Sequence, residues 1–233
     1  MEGWMSGAVW GAFGAIVVAN ILLSGDNAVV IAMAARSLPQ HQQKKAVIYG
    51  SAAAIVMRII LTVAAVQLLQ LPYLKIIGGA LLLWIGVQLL VDSEEEGEVK
   101  AHGTLAAAVR TILVADLVMS LDNVIAVAGA ADRAPEPYRL TLLIIGLAMS
   151  IPLIIVGSTL LMKIMDRFPI IITLGAALLG FLAGEMFVTD PSDAAWFHAN
   201  MPDAELIVGS LCAVLVVAVG KWMQSRVEAK TAH

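Results

Sequence analysis

The sequence predicts an all-α polytopic membrane protein with seven transmembrane helices: an inverted 3+3 repeat followed by a seventh helix. The composition, the lengths of the apolar segments and an internal repeat predict this fold. Hydrophobic residues make up 60% of the 233-residue chain and charged residues only 14%, against about 25% in a soluble domain. A soluble fold cannot bury so large an apolar fraction, because much of its surface stays in contact with water.

Seven apolar segments are long enough to cross a bilayer, which requires about 20 residues. They cover residues 8–35, 46–70, 73–91, 104–131, 139–162, 169–188 and 204–223. As straight helices, the first and fourth segments would reach about 42 Å, whereas the hydrocarbon core is about 30 Å thick. These two helices are therefore expected to tilt strongly or to break.

The first and fourth segments share a Ser-x-Asp-Asn motif at a spacing of 96 residues. The shared positions are Ser24/Ser120, Asp26/Asp122 and Asn27/Asn123. The same spacing continues through the following two segments, so the single transmembrane domain contains repeats at about 8–91 and 104–188, with an extra helix at about 204–223. Because each repeat has three spans, the two repeats have opposite orientations, as in many secondary transporters.

The distribution of basic residues predicts the orientation in the membrane. With the N-terminus outside, nine Lys and Arg residues fall on cytoplasmic segments and three on external ones. Cytoplasmic loops carry the excess of positive charge, so the N-terminus is predicted outside and the C-terminus in the cytoplasm. The acidic run at 92–98 is then cytoplasmic, and a solvated loop is favoured over a cation-gathering role.

Four carboxylates lie within apolar segments: Asp26, Asp116, Asp122 and Glu185. Each costs roughly 2.5–3.5 kcal/mol at a helix centre, so these groups must face a counter-charge, water or an ion. Arg58 is the one basic residue deep in a segment, and it leaves a formal charge of −3. A divalent cation, with protons for the remainder, would balance that charge.

Helical periodicity predicts that polar residues of each motif share one face. Residues at i, i+4 and i+7 lie on one side of a helix and form a polar stripe along it. Each of the two motifs contains one such stripe, and Asp26 and Asp122 lie about 100° around the helix from the stripe of their own motif. The stripes are Asn20/Ser24/Asn27 and Asp116/Ser120/Asn123.

A local break would bring Asp26 back toward the first stripe. Ser24-Gly25 favours turns and helix caps, so unwinding there would turn Asp26 inward and free backbone carbonyls as ligands. Leu121 replaces Gly25 in the second repeat, so a break is less expected there.

The ligand types indicate the class of ion. Carboxylate and amide oxygens suit hard cations such as Mg²⁺, Ca²⁺ or Mn²⁺. The thioethers of Met119 and Met186 would favour Mn²⁺, although methionines in apolar chains are mostly gap fillers. Ser24 and Ser120 either line the site or join helices by hydrogen bonds. Arg58 is either a structural counter-ion or a gate that exchanges carboxylate partners.

Other classes of function lack support in the sequence. A single cysteine, Cys212, excludes a disulfide framework and a CxxC site, and the four histidines lie in polar connections or the tail. No hydrolase signature is present, so we expect no enzyme activity, and no nucleic-acid partner is expected either.

The motifs resemble those of the TerC family of bacterial membrane proteins, which is placed within the wider LysE-type exporter group. The resemblance rests on Ser-Gly-Asp-Asn-Ala in the first segment, Ala-Asp-x-x-x-Ser-Leu-Asp-Asn-Val in the fourth and Gly-Glu in the sixth. The short chain is similar to the YjbE-type branch. The resemblance implies a seven-helix exporter of Mn²⁺ in the bacterial cell (inner) membrane. It implies metal-site candidates at Asp26, Asn27, Asp116, Asp122, Asn123 and Glu185.

Alternatives remain open from the residues alone. The chain could export amino acids or other small solutes, with Arg58 binding a substrate carboxylate. It could instead be a membrane scaffold that hands metal to partner enzymes. Ca²⁺ or another hard cation could replace Mn²⁺, protons could be the coupling ion, and the residues do not determine whether the chain forms a homo-oligomer.

Overall fold

A computed structural model describes residues 7–22, 24–68, 71–92, 104–131 and 136–231, and in these ranges all regular structure is α-helical. The helices are α1 Gly7–Leu22, α2 Gly25–Arg36, α3 Gln40–Leu68, α4 Leu74–Asp92, α5 Leu105–Ala131, α6 Glu136–Arg167, α7 Ile170–Val188, α8 Ala194–Asn200 and α9 Ala204–Thr231. Most of the acidic run at 92–98 lies outside the described residues.

Five stretches within the described ranges are long and apolar enough to cross a membrane. They are Gln40–Thr62, Leu74–Asp92, Ile144–Arg167, Ile170–Val188 and Ala204–Arg226. Large apolar side chains are exposed along them, including Trp84, Leu160 and Val214. Such apolar faces suit contact with lipid tails, whereas their contact with water would be unfavourable.

The first predicted helix, at 8–35, is in fact two helices. α1 ends at Leu22 and α2 begins at Gly25, with Ser24 as its N-cap residue. The division falls beside Ser24-Gly25, where turn-favouring residues predicted local unwinding. α5, with Leu121 in place of Gly25, runs as one helix from Leu105 to Ala131.

Four other helix assignments from the sequence need correction. α3 begins at Gln40 and not at the predicted residue 46. α6 extends beyond the predicted 139–162, and α9 beyond 204–223, because apolarity marks the span while the helical backbone continues into the polar flanks. The short helix α8 was not predicted. It has no buried residue, so it lacks the apolar stripe by which a packed helix is recognised.

The helices pack in two connected groups around one apolar core. α7 packs against α4 and α9, while α5 packs against α3, and α1 and α2 both pack against α6. Glycines allow the close approach of α7 to α9: a Cβ on Gly184 would lie 2.6 Å from the Cα of Gly209, and one on Gly180 would lie 2.7 Å from the carbonyl oxygen of Cys212. Small residues are the usual means of such packing between membrane helices.

The start of α4 and the end of α7 are joined by the buried carboxylate of Asp190. It accepts hydrogen bonds from the backbone N–H groups of Tyr73 at 2.9 Å, Lys75 at 3.1 Å and Ser192 at 2.9 Å. The Ser192 hydroxyl donates a further bond at 2.6 Å. Although burial acts to raise it, these hydrogen bonds hold the pKa of Asp190 below its ordinary value.

Candidate functional site

A buried ion pair joins α3 to α5 in the interior of the protein. Arg58, on α3, is 1% exposed, and Asp116, on α5, is 5% exposed. The Arg58 Nη2 donates to Asp116 Oδ1, and Nε donates to the Ser120 hydroxyl at 3.0 Å. The Ser120 hydroxyl in turn donates to Asp116 Oδ2 at 3.2 Å. Three side chains thus form a closed network, in which each oxygen of the Asp116 carboxylate accepts a hydrogen bond.

Local sequence explains why these groups meet. Asp116 and Ser120 are four residues apart, so they lie one above the other on the same face of α5. Gly50 permits α3 to approach that helix closely, because a Cβ at this position would lie 2.6 Å from the Ile112 Cδ1. The Thr62 hydroxyl bonds to the backbone carbonyl of Arg58 at 2.7 Å. The guanidinium therefore projects from a helix whose position is tightly defined.

Asp26 lies near this network and belongs, like Arg58, to the first half of the sequence, whereas Asp116 and Ser120 belong to the second. It stands in the first turn of α2, half-buried, and its Oδ1 accepts a hydrogen bond from the backbone N–H of Asn27 at 2.7 Å. Both Arg58 and Asp116 lie within electrostatic range of its carboxylate. The helix N-terminus also favours a negative charge at this position. The structure thus brings acidic groups of both halves toward one region.

The remaining predicted residues fall into two groups. Ser24, Asn27, Met119, Ser120 and Met186 are buried, and Glu185, on α7, is half-buried. The backbones of Asn20, Asp122 and Asn123 are helical, but their side chains lie outside the described part of the structure.

Met186 has an evident packing contact. A Cβ on Gly78 would lie 2.8 Å from the Met186 Cε, so this thioether fills the space beside a glycine of α4. Its position favours the gap-filling interpretation of this residue.

The described side chains do not by themselves form a complete metal site. Among them, no three Asp, Glu, His or Cys residues come close enough to hold a metal ion. Asp116 is engaged by Arg58 instead. A full coordination sphere would therefore require groups beyond these side chains, and the predicted ligands Asp122 and Asn123 are such groups.

Sequence reasoning missed two polar contacts outside the apolar segments. Arg36, at the end of α2, forms an ion pair of 2.8 Å with Asp166, near the end of α6. The second is the Asp190 contact with α4. Its signal in the sequence is Asp190-Pro-Ser, which directly follows an apolar helix and favours a turn with side-chain hydrogen bonds.

Comparison with known proteins gives the family. The family model described as "Integral membrane protein TerC family" matches residues 5–228. The chain belongs to the TerC family. It is 43% identical over 209 residues to "Uncharacterized membrane protein YjbE" of Bacillus subtilis, covering 90% of this chain and 93% of that protein. This TerC protein is therefore an integral, multi-pass membrane protein, and the resemblance seen in its motifs is confirmed.

More distant relatives extend the family. The TerC chain is 26% identical to "Uncharacterized membrane protein YceF" of B. subtilis over 235 residues, covering 96% of this chain and 87% of that protein. It is 29% identical over 142 residues to "UPF0053 inner membrane protein YgdQ" of Escherichia coli, covering 53% and 60% of the two chains. No solved structure matches the chain.

Proposed function

We propose that this protein exports a divalent metal cation, Mn²⁺ foremost, by alternating access. In this proposal Asp26, Asp122 and Glu185 provide charged oxygens, and Asn27 and Asn123 provide neutral ones. Oxygen ligands of this kind suit Mn²⁺ and other hard cations. Asp116 is the fourth intramembrane carboxylate and is paired with Arg58. The protein is a transporter in this proposal and not an enzyme.

One observation carries the proposal: acidic groups from both halves of the chain approach one another in the interior. Asp26 on α2 and Asp116 on α5 lie within electrostatic range of each other and of Arg58. Carboxylates placed at membrane depth are costly unless they serve an ion pathway or a counter-charge. A metal ion crossing between the halves would make use of this arrangement.

We also propose the seven-span topology with an inverted repeat. The five described spans are joined in this topology by α1–α2 as the first and α5 as the fourth. The packing supports it: α1 and α2 pack on α6, as α5 packs on α3. The first element of each half therefore contacts the second element of the other, as a pseudo-two-fold axis requires.

The proposed location is the bacterial inner membrane, with the N-terminus outside and the C-terminus in the cytoplasm. One of the relatives, YgdQ of E. coli, is described as an inner membrane protein. The excess of Lys and Arg on the segments that this orientation places in the cytoplasm supports it. Protons are the proposed coupling ion, because buried carboxylates can titrate near neutral pH.

One alternative, export of amino acids, is less well supported. A substrate carboxylate would need a cationic partner, and Arg58 is the basic side chain among the described residues of the buried core. Its guanidinium already pairs with Asp116. A carboxylate substrate would therefore have to displace an internal one.

The test is metal export in cells and in liposomes. Expression in a manganese-sensitive bacterium is expected to lower cellular Mn, whereas Asp26→Asn and Asp122→Asn are expected to abolish that effect. Asp203→Asn, at an exposed position outside the site, is the matched control. If both site variants protect cells as well as the wild type does, the site assignment is wrong.

Purified protein in liposomes separates the alternatives. Mn²⁺ flux is expected, whereas Mn²⁺ binding without flux would favour a scaffold that hands metal to partners. Binding of basic amino acids in place of Mn²⁺ would favour a solute exporter of LysE type.

A further inference from the structure

The Arg58–Asp116 pair joins the two halves of the chain, and the repeat-related pair of positions carries no charge. At the repeat spacing of 96 residues, Arg58 corresponds to Ile154 and Asp116 corresponds to Asn20. Ile154 is buried, with 3% of its surface exposed. Ser120, the third member of the network, corresponds to Ser24. The positions that join the two halves at Arg58 and Asp116 thus carry a base and an acid, whereas the repeat-related positions, Ile154 and Asn20, carry no charge.

The aspartates of the two Ser-x-Asp-Asn motifs show the opposite pattern. Asp26 and Asp122 correspond to each other at the same spacing and are present in both halves. An acid present in both halves of an inverted repeat can meet the ion in both orientations of the protein. Asp116 has no acidic counterpart in the first half, and it is paired instead with a base of that half, Arg58.

The hydrogen bonds of Asp116 also argue against a role as a metal ligand. Its Oδ1 accepts from the Arg58 Nη2 and its Oδ2 from the Ser120 hydroxyl. Arg58, in contrast, keeps Nη1 without a hydrogen-bond partner among the described residues. Both oxygens of the carboxylate are therefore already held within the network. Taking it away to bind a metal would leave a buried guanidinium without its counter-charge, which is strongly unfavourable.

We propose that Arg58 and Asp116 act as one neutral positioning unit beside the metal site and that Asp116 does not ligate the ion. The charge of a divalent cation is then balanced by the two aspartates that the repeat equates, Asp26 and Asp122. The unit holds α3 against α5 and sets the electrostatic potential near Asp26. This inference rests on the proposed function and removes one candidate from its ligand set.

Single and double substitutions have different consequences under this proposal. Asp116→Asn leaves a positive charge near the ion and weakens Mn²⁺ binding, whereas Arg58→Ile leaves a negative charge and strengthens it. A unit charge about 10 Å from a divalent ion changes its affinity by more than tenfold at an effective dielectric constant of about 20. The double variant Arg58→Ile/Asp116→Asn has the residue types of the repeat-related positions, Ile154 and Asn20, and restores neutrality.

The experiment measures Mn²⁺ affinity by titration calorimetry on the purified, detergent-solubilised full chain. We expect Asp116→Asn to bind at least tenfold more weakly than the wild type. Arg58→Ile should bind more tightly, and the double variant within about threefold of the wild type. Ser158→Ala, a buried serine whose hydroxyl has no partner among the described residues, is the control. A double variant as weak as Asp116→Asn would overturn the proposal, because Asp116 would then be a ligand.

Unfolding temperatures keep the inference testable without metal. The double variant is expected to unfold at a higher temperature than either single variant, because each single variant leaves one buried charge unpaired. A double variant that unfolds below both, or that does not fold, would overturn the neutral unit. Absence of Mn²⁺ binding in the wild type would instead contradict the proposed function, while these temperatures would still decide on the unit.

Discussion

The backbone N–H of Tyr73 donates a hydrogen bond of 2.9 Å to the carboxylate of Asp190, across 117 residues of sequence. Tyr73 has a φ of 69°, in the left-handed region that side chains rarely adopt. Such a conformation persists where the surrounding contacts define it. The Asp190 carboxylate supplies these contacts and fixes the start of α4 to the end of α7.

Removing this carboxylate should destabilise the protein. Asp190→Ala leaves the backbone N–H groups of Tyr73 and Lys75 without their acceptor, and we expect a loss of about 1–3 kcal/mol, seen as a lower unfolding temperature in detergent. Asp193→Ala is the matched control, since Asp193 is exposed and its side chain makes no capping hydrogen bond. Equal unfolding temperatures for the two variants would contradict this role for Asp190.

The contribution of Asp190 should also depend on pH. Its pKa in the folded protein lies below the ordinary value of 3.8, so its stabilising effect is complete above that value and is lost as the pH falls through the folded pKa. The difference in unfolding temperature between the wild type and Asp190→Ala should therefore be constant from about pH 7 to 5 and shrink below about pH 4. A difference that grows on acidification would refute this explanation.

The Ser120 hydroxyl should contribute substantially to the stability of the protein. Ser120→Ala removes the acceptor of the Arg58 Nε and a donor to Asp116, and an unsatisfied buried donor costs about 1–3 kcal/mol. Ser158→Ala should cost nothing, because the Ser158 hydroxyl is buried without a partner among the described residues. Comparable unfolding temperatures for these two alanine variants would show that the network does not depend on Ser120.

The glycines of α7 should tolerate no added side chain where α9 approaches. Gly184→Ala places a Cβ 2.6 Å from the Gly209 Cα, which forces the helices apart at a cost of roughly 1–3 kcal/mol. Gly157→Ala is the control, because a Cβ there meets Ala28 at an ordinary 3.7 Å. The prediction fails if Gly184→Ala unfolds at the temperature of the control.

The Arg36–Asp166 pair should contribute little to stability. Asp166 is 63% exposed, and solvent-exposed ion pairs are typically worth about 0–1 kcal/mol. Asp166→Asn should therefore shift the unfolding temperature much less than either single substitution in the buried Arg58–Asp116 pair. A shift of similar size would show that this pair is more strongly coupled to the fold than its exposure indicates.

The helical membrane fold could be predicted because its cause is local. Apolar segments of about 20 residues specify spans by their composition alone, and Ser24-Gly25 marked the division of the first helix through its own conformational preferences. The motif shared by the two halves could also be recognised, because acidic and amide residues such as Asp26-Asn27 and Asp122-Asn123 are rare within apolar segments.

Pairing between distant side chains could not be predicted in the same way. Arg58 had several acidic partners within reach of its position in the membrane, and only the packing of α3 on α5 selects Asp116. Asp190 lay outside the apolar segments, where a buried carboxylate was not expected. Its partners are backbone groups 115 and 117 residues away, and backbone groups carry no signature in the sequence.

The division between α1 and α2 has a mechanical consequence. Under the proposed inverted-repeat mechanism, the two access states arise when the halves exchange shapes. Here the first motif lies at the start of a 12-residue helix, whereas the second lies inside an uninterrupted rod of 27 residues, about 40 Å in length. A full exchange of shapes would require α5 to break into two helices or α2 to become continuous with α1. Under that mechanism the two halves differ in shape, so opening toward one side of the membrane is not the mirror image of opening toward the other.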